Sequence, residues 1–197
     1  MDRIRQAWIW LRRAGHSRGF GIQSPTDYRF ERCVINERWP YYAYDTMGMA
    51  DGWKRRKLGR LYFRIANFMQ PSVVIDLVGA EEYVRMACPG ARGLSHDTQS
   101  GDAGAGPVPA RLPGGAYPGA GAGSVDMAVV PINTEYQQLF RLCHDKSVVV
   151  IEDIHKQPPL WHCIEYSPMT SVTFDLYHCG IVFFDKSRSK HNYTVNF

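Results

Sequence analysis

The stretch whose reading decides the fold is Ser72–Tyr83, SVVIDLVGAEEY. Its apolar residues run almost unbroken to Asp76, a single glycine follows at Gly79, and a helix-like segment starts at Ala80. A near-continuous apolar run reads as a strand buried on both faces, the texture of a parallel sheet covered by helices. Strand, acid, glycine and helix in that order outline a turn for a nucleotide-type cofactor, because glycine has no Cβ to hold the backbone off a ligand. Such turns usually carry two or three glycines. This one carries Gly79 and then Glu81 and Glu82, which also suit the positive end of a helix dipole.

Two further runs share the texture, VDMAVVP (Val125–Pro131) and SVVVIEDI (Ser147–Ile154). Helices are expected between the runs at Ala80–Cys88, Thr134–His144 and Pro159–Tyr166. Strand alternating with helix predicts a doubly wound α/β sheet. A different ending follows: SVTFDLYHCGIVFFD (Ser171–Asp185) reads as two strands in a hairpin turning at Cys179–Gly180, and NYTVNF (Asn192–Phe197) can add a last strand. Thr98–Gly123 is saturated with Gly, Pro and Ala and is expected to be a mobile loop, with room for a short edge strand at PVPARL.

Upstream the pattern is helical. Residues 2–14 place Ile4, Ala7, Trp8 and Leu11 at helical spacing with arginines largely opposite, and Gly15 is a stop. Ser24 followed by Pro25 is a helix start. KRRKLGRLYFRIANFM (Lys54–Met69) reads as a helix with Leu58, Leu61, Tyr62, Ile65 and Phe68 inward. The expected division is a helical extension over 1–70 and a Rossmann-like domain over 71–197, with 98–123 its flexible loop.

Composition narrows the function. A net charge of +4 over 197 residues is too mild for a dedicated nucleic-acid binder. The arginines near the N-terminus and the run Lys54–Lys57 read as solvated helix faces. Cys33, Cys88, Cys143, Cys163 and Cys179 form no CxxC pair, which argues against a disulfide scaffold and for a cytoplasmic setting. No run is long enough to span a membrane, and the N-terminus lacks a signal-peptide cleavage site. Cysteine and histidine adjoin at Cys143–His144, His162–Cys163 and His178–Cys179, but neighbours on a regular element point apart and chelate poorly.

Three segments carry a resemblance: RGFGIQSPTDYRF (Arg18–Phe30), EDIH (Glu152–His155) and DLYHCGIVFF (Asp175–Phe184). With the order of elements, they make the chain similar to class I S-adenosylmethionine-dependent methyltransferases. More narrowly, it resembles a bacterial methyltransferase-like family with an N-terminal helical extension. That family has an HGxHSPF-type loop, a DDIH segment and a closing DLFxxGxxFF run. The resemblance implies a mostly parallel Rossmann-like sheet closed by an antiparallel hairpin. It also implies S-adenosylmethionine as cofactor, held by Asp76, Gly79, Asp97 (or His96) at the ribose, and Asn133. Asp153 and His155 would stand beside a methyl acceptor of unknown identity, His155 as a base.

The chain also departs from that pattern. The later glycines of the cofactor turn are absent, and Pro131 replaces the fourth-strand acid that helps hold a divalent metal in some relatives, so no metal site is expected. Those departures support an alternative, a catalytically inactive relative kept as an interaction or ligand-binding module. For Gly79 a plain turn, for Asp97 a loop acid, and for Asp153 and His155 local capping of the strand end are the competing readings. The N-terminal helix is expected to pack on the core or on a second subunit, with docking to a membrane surface as the weaker alternative.

Overall fold

The structure is a computed structural model and describes residues 8, 10–16, 19, 21–95 and 125–197. Among the described residues seven strands form one sheet: β1 Val73–Asp76, β2 Arg92–Ser95, β3 Val125–Pro131, β4 Cys143–Glu152, β5 Val172–Asp175, β6 Cys179–Phe183 and β7 His191–Thr194. Their order is β2-β1-β3-β4-β6-β5-β7. Only β6 runs against the rest, wedged between β4 and β5. The others are parallel wherever two of them pair, with Asp76 opposite Ser95 on one side and Val129 on the other.

α-Helices flank the sheet: α1 Pro25–Phe30, α2 Trp53–Met69, α3 Glu81–Ala87, α4 Tyr136–Arg141 and α5 Pro158–Glu165. Alternate strand residues go to opposite faces, and both faces are covered, which is why the strands read as unbroken apolar runs. On one face Val74, Met127, Val129, Val148, Val150, Phe174 and Ile181 pack against Leu61, Tyr62 and Ile65 of α2. On the other, Ile75, Ala128, Val130, Val149, Ile151 and Val182 pack against Leu139 and Phe140 of α4 and Trp161 and Ile164 of α5.

The helical layer is joined to the sheet by specific contacts. The Ser24 side chain caps α1 by accepting from the Asp27 amide, and the helix runs on into a wider π-type turn, Glu31–Ile35. The carbonyls of Val34 and Ile35 at its end would be orphaned. Arg64 of α2, itself buried, donates Nε to Val34 O at 2.5 Å and Nη2 to Ile35 O at 3.0 Å. α2 stops at Gln70, whose φ of 50° takes the left-handed conformation.

Several expectations change. The helix expected over Thr134–His144 ends at Arg141, and Cys143 and His144 open β4. The hairpin turns at Leu176–His178, with Tyr177 at φ 72°, not at Cys179–Gly180. Gly180 lies inside β6, opposite Ile151, and a Cβ there would sit 2.2 Å from the Trp161 ring, so the glycine makes room for an indole. Near the N-terminus, the described helical residues leave Trp8 and Leu11 more than half exposed. What ties this segment down is polar: Arg13 bonds Asp175 Oδ1 at 2.8 Å and the Asp175 carbonyl at 3.1 Å. His96, Asp97 and the expected loop Thr98–Gly123 lie outside the described residues. No helix among the described residues is long and apolar enough to cross a membrane.

Candidate functional site

In an open α/β sheet, ligands bind beyond the carboxyl ends of the strands where the strand order reverses. Here the chain goes from β1 outward to β2 on one side and returns to β3 on the other, so the reversal lies at the end of β1. Asp76 ends that strand. It is buried, and its Oδ1 accepts from the Val78 amide at 3.0 Å, which shapes the turn. Gly79 follows with φ 77°, a conformation that side chains resist. Glu81 and Glu82 do not enter this crevice. Glu81 pairs with Arg85 one helical turn on, and Glu82 Oε1 accepts from the Gly48 amide at 2.9 Å.

The group that does enter is Arg55, from the first turns of α2. Its Nη2 donates to Val78 O at 3.0 Å and to the Gly79 carbonyl, and its Nη1 bonds Glu152 Oε1 at 2.9 Å. Tyr62 donates to the same Glu152 oxygen. Burial first of all pushes the Tyr62 hydroxyl well above its ordinary pKa, so it stays a donor. A guanidinium thus joins the end of β1 to the end of β4 across the place where a cofactor would cross the turn.

Beside it lies a second cluster. Asp153 sits at φ 60° just past β4, held by Lys54 Nζ at 3.1 Å and Lys156 Nζ at 2.7 Å. Its acidity is raised by those bonds despite burial, which acts the other way and is the largest influence. His155 stacks on Tyr177 with ring centroids 4.8 Å apart and meets His178 edge-on at 5.2 Å. Arg13 lies over the Tyr177 ring, 5.4 Å from its centroid. The Nδ1 atoms of both histidines are enclosed and make no hydrogen bond to the described residues. Burial, then the positive charge of Lys54, lowers the His178 pKa to about 4. His155 is lowered in the same direction, again chiefly by burial. Both are therefore neutral near pH 7 and able to accept a proton or a hydrogen bond.

Asp76, Gly79, Asp153 and His155 thus lie along one edge of the sheet, with Asn133 in the turn just beyond β3. Sequence reasoning passed over Lys54, Arg55, Tyr177 and His178. The first two looked like a solvated basic face, and nothing local in the run marks Arg55 as crossing to Glu152. The last two had a signal: polar and aromatic residues, Tyr177 and His178, inside the apolar run DLYHCGIVFF. Among the described residues no group of three or more His, Cys, Asp or Glu is placed to hold a metal ion.

Sheet order and site together define a Rossmann-like α/β protein, with its polar groups gathered at the strand carboxyl ends. No protein-family model and no curated protein matches the chain. Among solved structures, that described as the crystal structure of cofactor-bound Rv0187 from MTB is similar. It is 9% identical with a TM-score of 0.45, over 73% of this chain and 85% of that chain. Likeness of that degree bears on no residue of the site.

Proposed function

We propose that the chain is a methyltransferase-like protein that no longer transfers methyl groups and serves as a ligand-binding or interaction module. The observation that carries this is Arg55, bonded to the carbonyls of Val78 and Gly79 and anchored by Glu152. A Cβ on Gly79 would have the Arg55 Nη2 as its nearest neighbour, at 3.7 Å. The space that a turn glycine leaves for a cofactor is bordered by the chain's own side chain. The residues present therefore do not fit the cofactor in this arrangement, and no methyl-transfer step is derived through it.

Calorimetric titration with S-adenosylmethionine and S-adenosylhomocysteine tests the proposal. No heat is expected from the wild type at millimolar ligand, and binding there would overturn it. Arg55→Ala distinguishes a plugged crevice, which then gains affinity, from one that has lost its cofactor contacts altogether.

A second reading, an active S-adenosylmethionine-dependent methyltransferase, is favoured by the retained Asp76–Gly79 turn and by the neutral His155 and His178 nearby. In that reading Arg55 swings aside. Asp76, Gly79, Asp97 and Asn133 hold the cofactor, while Asp153 and His155 face a small-molecule acceptor. A cytoplasmic setting suits either reading, since all five cysteines are free thiols.

A further inference from the structure

Away from the strand ends, α2 forms one wall of a cavity of about 740 Å³. Five cations line it, Arg38, Arg56, Lys57, Arg60 and Arg64, against one acidic side chain, Glu37, whose Oε2 accepts from the Tyr41 hydroxyl at 2.8 Å. None of the five forms an ion pair with a carboxylate among the described residues. The contrast with the same helix's other side is sharp, because Lys54 and Arg55 are both paired there. Converging like charges repel, and a bound polyanion relieves that repulsion.

The donors are also incomplete. Arg64 is committed to the Val34 and Ile35 carbonyls, so it supplies field but few free hydrogen bonds. Arg56 uses Nη2 on the Asp51 carbonyl at 3.0 Å, yet its Nε is enclosed and has no partner; the Nε of Arg60 is in the same condition. An enclosed N–H without an acceptor is costly and marks a place where an acceptor is missing. Arg56 and Arg60 stand four residues apart on α2 and so share a helix face, which lets two guanidinium groups reach one phosphate chain.

Aromatic rings surround the cations. Trp39 and Trp53 line the cavity and are 78% and 61% exposed, and the Arg60 guanidinium lies 4.6 Å from the centroid of Tyr44. Exposed indoles are stacking faces for a planar heterocycle. The volume falls within the range of small-molecule sites.

We infer that this cavity binds a small phosphorylated aromatic ligand of the nucleoside polyphosphate kind, its phosphates on Arg56, Lys57 and Arg60 and its ring on Trp39 or Trp53. The cavity is distinct from the strand-end crevice, and the inference stands whether or not that crevice binds S-adenosylmethionine.

The test is a tryptophan-fluorescence titration of the full chain with ATP, and with tripolyphosphate and adenosine as its two halves. ATP should bind at millimolar concentration or below and raise the melting temperature, and each half should bind at least tenfold more weakly. The Arg56→Gln, Arg60→Gln double variant should lose at least tenfold in ATP affinity, and Trp39→Ala, whose side chain is largely exposed, several-fold. Lys57→Gln provides a second phosphate-side variant should the double variant melt early. Absence of ATP binding, or unchanged affinity in both phosphate-side variants, overturns the site. Tripolyphosphate binding as tightly as ATP overturns the aromatic half. A single-stranded RNA oligomer that binds where ATP does not overturns the choice of a small ligand. Displacement of ATP by S-adenosylmethionine would put the nucleotide in the other crevice and overturn the assignment as well.

Discussion

Gly59 and Gly180 each make room for an aromatic ring. A Cβ at Gly59 would fall 2.1 Å from the Tyr83 ring, which is buried and has Gly48 against its hydroxyl end. The ring has nowhere to go, so Gly59→Ala should destabilise the protein by about 2 kcal/mol through overpacking, read as a lower urea midpoint at unchanged slope. Titration acts at the same scale. His178 titrates near 4 when folded and near 6.5 when unfolded, so between those values the unfolded chain binds more protons. Stability is therefore complete above about pH 6.5 and declines as the pH falls toward 4. Melting curves of wild type and His178→Asn across that window should converge in slope only if this histidine is not responsible. Asp76 and Gly79 were legible in the sequence because their roles in the turn are local. The side chain bonded to that turn was not: Arg55 lies 23 residues from Val78 and 97 from Glu152.

At the scale of elements, α2 has several tasks. Its apolar stripe covers the sheet, Arg55 reaches the strand ends, and Arg64 closes the end of the turn after α1. Removing Arg64 leaves two buried carbonyls without donors. Arg64→Ala should cost about 3 kcal/mol and Arg64→Lys somewhat less, measured by denaturant unfolding. The helix's existence and the inward placing of Leu58, Leu61, Tyr62 and Ile65 were readable from periodicity, and so were β1, β3 and the core of β4; Phe68, expected inward, is 45% exposed near the helix's end. The hairpin was placed three residues late, because glycine is read as a turn former and nothing in the local pattern shows that Trp161 will fill the space above it.

Across the whole molecule, the helical layer and the last strands are locked together. Asp27 of α1 is buried and pairs with Arg188, and its other oxygen accepts from the Tyr193 hydroxyl at 3.1 Å. Asp27→Ala would strand a half-buried guanidinium. A loss of about 3 kcal/mol is expected, and a double-mutant cycle with Arg188→Ala should recover most of it as coupling. This clamp was invisible in the sequence: 161 positions separate its two charged residues, and an isolated aspartate at the start of a helix already has an explanation as a dipole partner.

The clamp also sets the order of events at the ribosome. Arg13 and Asp27 meet partners that are translated some 160 residues later, which at about 5–20 residues per second is a wait on the order of ten seconds. During that interval Phe30 lacks Phe174 and Phe183, two of the rings it packs against. The helical layer therefore cannot complete its packing until β5, β6 and β7 have been made.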